Sequence, residues 1–156
     1  MLKILTIDDD STTLQLLDFF LTKHNYEITV SDNGYDGIKK AQEILPDLIL
    51  LDVMMPHMDG IDVCKKLRVD EKTAKIPVLF LSAMEQDIDV MSGLIAGGDG
   101  YIAKPFEPNN LLESIDKLIE SNASVRRRQV GMFADDSSQV DEPKHFEIYE
   151  NTIETQ

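Results

Sequence analysis

Apolar residues come in five short runs separated by segments whose apolar positions recur every three or four residues. Lys3-Ile4-Leu5-Thr6-Ile7, Tyr26-Glu27-Ile28-Thr29-Val30-Ser31, Leu48-Ile49-Leu50-Leu51, Ile76 to Ser82 and Tyr101-Ile102-Ala103 read as strands. Between them, Leu14 to Leu21, Ile38 to Leu45, Ile61 to Leu67 and Ile88 to Ile95 carry helical spacing, and Leu111 to Ile119 follow the last strand. Ser11 is the expected N-cap of the first helix, and Gly97-Gly98 the expected stop of the fourth. Strands alternating with helices predict an α/β fold, a parallel sheet covered on both faces by right-handed crossovers. The third strand is apolar at four successive positions, as a strand buried on both faces must be. The fifth is shorter and less apolar, hence nearer an edge.

The tail is different in kind. Residues 122–156 hold Arg126-Arg127-Arg128, then Asp135-Asp136-Ser137-Ser138, and too few apolar residues for a core. Residues 129–156 carry seven acidic residues and one basic, Lys144. A flexible acidic tail or linker is the composition reading, after a folded domain over 1–121. The exception is His145-Phe146-Glu147-Ile148-Tyr149, whose apolar residues alternate. Such a segment can add to a sheet edge or lie in a groove.

The chain carries 15 basic and 29 acidic residues, a net charge of −14. Residues 1–120 account for −11 of it and the remainder for −3, so neither part suits a phosphate backbone and no nucleic-acid binding is expected. No run of about 18 apolar residues predicts a membrane span, and the N-terminus lacks the features of a secretory signal. Cys64 falls on a helix face as a small hydrophobe, which fits a cytoplasmic protein. One cysteine and three scattered histidines (His24, His57, His145) build neither a thiol catalyst nor a zinc centre.

The candidate chemistry lies at the carboxyl ends of the strands. The first delivers Asp8 and Asp9, the third Asp52, the fourth Ser82, and the end of the fifth Lys104. In a parallel sheet these ends share one edge, where open α/β sheets bind ligands. Asp52 alone could simply cap the following helix. Three converging carboxylates, however, repel one another unless a cation joins them, and their hard oxygens suit Mg²⁺, with Mn²⁺ as a substitute. An aspartate beside such a metal can attack phosphorus, with a lysine and a hydroxyl to neutralise the phosphoryl oxygens.

Four blocks, Ile7-Asp8-Asp9-Asp10, Leu50-Leu51-Asp52-Val53-Met54-Met55-Pro56 with Asp59-Gly60, Leu81-Ser82-Ala83 and Tyr101-Ile102-Ala103-Lys104-Pro105-Phe106, occur in this order. Together they make residues 1–121 resemble the receiver domain of two-component response regulators. The resemblance implies a flavodoxin-like doubly wound sheet of five parallel strands, order 2-1-3-4-5, with five helices. It implies Asp52 as phosphoacceptor, charged by a sensor histidine kinase or a histidine phosphotransfer protein. Mg²⁺ would be held by Asp8, Asp9, Asp52 and the backbone carbonyl of Met54. Ser82 would be the switch hydroxyl, Lys104 the phosphate-pairing lysine, and Tyr101 the aromatic that changes rotamer with them. Asp10 matches no ligand position and is left as a helix N-terminal charge. The Lys104-Pro105 bond would be cis.

Met54 and Met84, two residues after the acceptor and the switch hydroxyl, would flank the path of the hydrolytic water and tune the lifetime of the phosphorylated state. Gly98-Asp99-Gly100 departs from the family pattern and is expected to loosen the approach to the fifth strand. A homodimer through the face of the fourth helix, fifth strand and fifth helix is one arrangement the resemblance allows.

Such a domain is no turnover enzyme, since it catalyses only its own phosphorylation and dephosphorylation. The haloacid-dehalogenase-like phosphohydrolases need a second aspartate two residues after the nucleophile, where this chain has Met54. A receiver-like binding module that ignores phosphate is the other alternative. No recognised output block follows residue 121. The chain therefore reads either as a receiver acting through a downstream protein or its own tail, or as the front of a longer regulator.

Overall fold

The structure, a computed structural model, describes residues 1–83, 92, 96–131 and 147–149. Strands β1 (Leu2–Ile7), β2 (Tyr26–Ser31), β3 (Leu48–Leu51), β4 (Val78–Ser82) and β5 (Gly100–Ala103) alternate with helices α1 (Ser11–Lys23), α2 (Gly34–Ile44) and α3 (Gly60–Val69). Helix α4 (Pro108–Gly131) follows β5, and a last short strand, β6 (Glu147–Tyr149), follows it. The helix expected over Ile88 to Ile95 lies, apart from Ser92, outside the described residues.

All pairings are parallel, in the order β2-β1-β3-β4-β5-β6. The five expected strands keep the order 2-1-3-4-5 of a flavodoxin-like fold. The sixth strand is added outside β5, so β5 is not an edge. The alternating segment of the tail thus supplies a strand at Glu147–Tyr149, while His145 and Phe146 lie outside the described residues.

Strand β3 shows why the sheet is central. All four of its residues are fully buried, and successive side chains go to opposite faces. Ile49 and Leu51 join Leu5, Ile7, Val78 and Phe80 against Ala41 of α2 and Val63, Cys64 and Leu67 of α3. Leu48 and Leu50 join Ile4, Leu79, Leu81 and Ile102 against Leu17 and Leu21 of α1 and Leu111 and Ile115 of α4. At the far side of that second layer the Tyr26 hydroxyl donates to the Asp116 carboxylate, tying β2 to α4.

Local ends follow from side-chain caps. Asn33 accepts from the Asp36 N–H at 2.8 Å and Asp59 from the Asp62 N–H at 2.8 Å, opening α2 and α3. Helix α1 is capped one residue earlier than expected. Asp10, not Ser11, accepts from the Thr12 N–H at 3.2 Å and from the Thr13 hydroxyl at 2.7 Å. A carboxylate with two partners in the first turn outcompetes the neighbouring hydroxyl. Pro108 opens α4, where a missing N–H costs nothing. That helix continues to Gly131, past the expected end near residue 121.

Candidate functional site

Register brings the candidate residues together. Ile7 pairs with Leu51 and Leu51 with Phe80, so Asp8 and Asp52 emerge side by side from β1 and β3. The Asp52 N–H donates to the Ile7 carbonyl at 2.9 Å and the Asp8 N–H to the Ser31 carbonyl at 3.1 Å, which fixes both α-carbons at the sheet edge. Ser82 pairs with Ala103, and the Lys104 N–H donates to the Ser82 carbonyl at 2.9 Å, which sets Lys104 one residue beyond that pair. The Lys104–Pro105 peptide is cis.

The loop after β3 folds back by close approach. The Gly60 N–H donates to the Val53 carbonyl at 2.8 Å. A Cβ on Gly60 would stand 2.1 Å from the Asp52 carbonyl oxygen, so only glycine fits.

Asp8, Asp9 and Asp52 each offer a carboxylate oxygen, all within 4.8 Å of one another. Asp8 and Asp52 are buried and Asp9 is exposed, so the cluster has a dry floor and an open lip. An all-oxygen set of this charge fits a hard divalent cation. Asp8 accepts from the Asp10 N–H at 2.9 Å and from the Lys104 ammonium at 2.6 Å. Lys104 Nζ stands 4.0 Å from Asp52 Oδ1. Burial, and then the Asp8 charge, push the Asp52 carboxyl up to about 6, while Lys104, Ser82 and the Met54 N–H pull the other way. The Ser82 hydroxyl is fully buried and meets no partner in hydrogen-bond geometry. It still lies near enough to Asp52 to favour the ionised carboxylate.

The response regulator receiver domain family matches residues 4–116. The chain belongs to that family.

Relatives of this receiver domain include the alkaline phosphatase synthesis transcriptional regulatory protein PhoP of Bacillus subtilis, 40% identical over 117 residues, 75% of this chain and 48% of that protein. The DNA-binding dual master transcriptional regulator RpaA of Synechocystis is 40% identical over 119 residues, 76% of this chain and 49% of that one. The chain thus spans about half the length of the curated relatives it matches. Among solved structures, chemotaxis protein CheY4 of Vibrio cholerae superposes with a TM-score of 0.73 at 30% identity, covering 76% of this chain and 98% of CheY4. A CheY-like receiver domain protein of Methanospirillum hungatei superposes at 0.75 with 25% identity, covering 80% and 98%.

Around the receiver site, Tyr101 is buried, its hydroxyl donating to the Ser82 backbone carbonyl at 3.2 Å. Met54, in the loop after β3, is 67% exposed. Met84 lies outside the described residues.

The approach to β5 is pinned rather than loosened. The Asp99 carboxylate accepts from the Val78 N–H and from the Arg68 guanidinium, each at 2.9 Å. Arg68 also donates to the carbonyls of Gly97 at 2.9 Å and Ile76 at 2.7 Å. Glycines flanking Asp99 suggest freedom, but the half-buried ion pair between them removes it. Nothing in the local pattern around Arg68 signals this contact, which joins residues far apart in sequence.

Proposed function

We propose that Asp52 is the phosphoacceptor of a two-component response regulator. The observation that carries this reading is the arrangement around its carboxylate. Oxygens of Asp8 and Asp9 lie within 4.8 Å of its own, the Lys104 ammonium stands 4.0 Å away, and the buried Ser82 hydroxyl lies near enough to favour the ionised form. The donor is a phosphohistidine of a sensor histidine kinase or a histidine phosphotransfer protein. An Asp52 oxygen attacks the phosphorus, an acyl-phosphate bond forms, the donor P–N bond breaks, and the departing imidazole takes up a proton. Lys104 then leaves Asp8 for a phosphoryl oxygen, and the Ser82 hydroxyl donates to another. Hydrolysis of the acyl phosphate returns the starting carboxylate, so the protein acts on itself and turns over no separate substrate.

The carboxylates of Asp8, Asp9 and Asp52 and the Met54 carbonyl would hold Mg²⁺, or Mn²⁺ in its place. When bound, that ion neutralises charge between the carboxylates and the phosphoryl oxygens. Tyr101 follows Ser82, whose carbonyl its hydroxyl already touches. Met54 and Met84 tune the lifetime of the acyl phosphate.

The output is a protein contact made by the receiver or its tail, residues 122–156 serving as tail or linker. In a longer regulator the output would be a further domain, which the half-length match to transcriptional regulators favours. The receiver itself, with its acidic surface, would leave nucleic acid alone and act in the cytoplasm. No described helix is long and apolar enough to cross a membrane. A homodimer would use the face of the helix expected over Ile88 to Ile95, β5 and α4.

Acetyl phosphate with Mg²⁺ should add a single acid-stable, base-labile phosphoryl group, and chelation by EDTA should prevent it. A chain that takes up no phosphoryl group under these conditions contradicts the reading.

A further inference from the structure

The segment that covers β5 belongs to the tail. Glu147, Ile148 and Tyr149 pair in parallel with Gly100, Tyr101 and Ile102. A parallel pair needs a connection of about a dozen residues or more, and residues 104–146, which include α4, supply it. Three residues make a short ladder, hence a local element that opens at low cost.

The partner strand is the one that carries the site. Phe80 and Ser82 of β4 pair with Tyr101 and Ala103 of β5, and Tyr101 in turn pairs with Ile148. The Tyr101 hydroxyl and the Lys104 N–H both reach the Ser82 carbonyl. Lys104, two residues beyond the last β6-paired residue Ile102, is held on Asp8 in this state.

We propose that the outer edge of β5 is a strand-docking surface. Its occupant in the unphosphorylated chain is the chain's own segment 147–149, and phosphoryl transfer to Asp52 weakens that docking. The proposal rests on the reading of Asp52 given above. A phosphoryl group draws Lys104 off Asp8 and recruits the Ser82 hydroxyl, so the ends of β4 and β5 move in the strand to which β6 is registered. In this structure the strand is docked while Lys104 rests on Asp8. By linkage, docking of the tail must then oppose phosphorylation by the same factor. Release leaves an open β5 edge able to accept an extended segment of a partner.

Hydrogen exchange on the full chain tests this, with beryllofluoride and Mg²⁺ as the phosphoryl mimic. The backbone amides by which residues 100–102 and 147–149 bond to one another should exchange about tenfold faster with the mimic bound. Equal exchange with and without bound mimic overturns the proposal. In the Ile148→Pro chain, which loses an amide and the strand geometry, the mimic should bind about tenfold more tightly. A synthetic peptide of residues 140–153 should bind this variant but not the wild type. Unchanged mimic affinity, or no peptide binding, overturns the proposal. Protection of 147–149 that grows with protein concentration also overturns it, because the strand would then come from a second copy. If the mimic binds neither chain, the phosphoacceptor reading itself falls, an outcome separate from binding without a change in exchange.

Discussion

The Lys104 ammonium lies 2.6 Å from an oxygen of Asp8 and 4.0 Å from the nearest oxygen of Asp52. Asp8 is almost wholly buried, so the pair is the main compensation for a carboxylate out of water. The lysine thus rests on a neighbour, one short movement from Asp52.

Replacing Lys104 leaves two buried carboxylates facing one another without their cation. Lys104→Met should destabilise the metal-free protein by about 1–3 kcal/mol at neutral pH, read by urea denaturation. Mg²⁺ should recover part of that loss. A variant as stable as wild type without metal would mean that the pair contributes nothing.

Asp52 has a folded-state pKa of about 6, above its ordinary value of 3.8, because burial and Asp8 disfavour its charge. A raised carboxyl pKa means that stability is full below the unfolded value and is lost as pH rises through the folded one. Asp52→Asn should therefore stabilise the EDTA-treated protein by about 1–2 kcal/mol at neutral pH, allowing for screening at the mouth of the site. Below pH 3.8 the difference should vanish. Thermal melts of both chains across this range decide it, and a gain that persists in acid would contradict the cause given.

Gly60 meets the Asp52 carbonyl so closely that a methyl group cannot be placed between them. Gly60→Ala should cost about 3 kcal/mol and lower the yield of phosphorylation, since the loop carrying Met54 must move. Denaturation and labelling of the same preparation measure both. A neutral effect would show that the loop has slack the geometry denies.

On the proposed reading Met54 and Met84 flank the path of the hydrolytic water, and their thioethers, weak acceptors only, cannot orient it. The acyl phosphate should therefore decay slowly. Met54→Asn/Met84→Glu should accelerate the decay about tenfold, equivalent to ~1.4 kcal/mol in the barrier. The decay rate after removal of the phosphodonor checks this, and an equal or slower rate in the variant would remove the methionines from the account.

Much of the fold is legible in local pattern. The four-residue apolar run at Leu48–Leu51 marks the central strand, and turn and cap residues such as Asn33, Asp59 and Pro108 mark helix starts within a residue or so. The strand ends that gather Asp8, Asp9, Asp52, Ser82 and Lys104 follow from a parallel sheet, because register carries each run to the same edge. Less legible were relationships set by side-chain reach across the fold. Lys104 rests on Asp8, 96 residues away in sequence, and Arg68 spans to Asp99, 31 residues away. Neither distance has a sequence period. Asp10 displaced Ser11 as the cap because a carboxylate found two donors in the first turn. The alternation at 146–149 allowed a sheet-edge strand or a groove-bound segment beside the linker reading, and named neither the strand nor β5 as its partner.

The most direct measurement of the central claim is chemical mapping of the phosphorylated residue. Borohydride reduces an aspartyl phosphate to homoserine, which peptide mass spectrometry locates in the sequence. After treatment with acetyl phosphate and Mg²⁺, homoserine should appear at residue 52 and nowhere else, and should be absent from Asp52→Asn. Homoserine at Asp8 or Asp9, or undiminished labelling of Asp52→Asn, would contradict the assignment of Asp52 as acceptor.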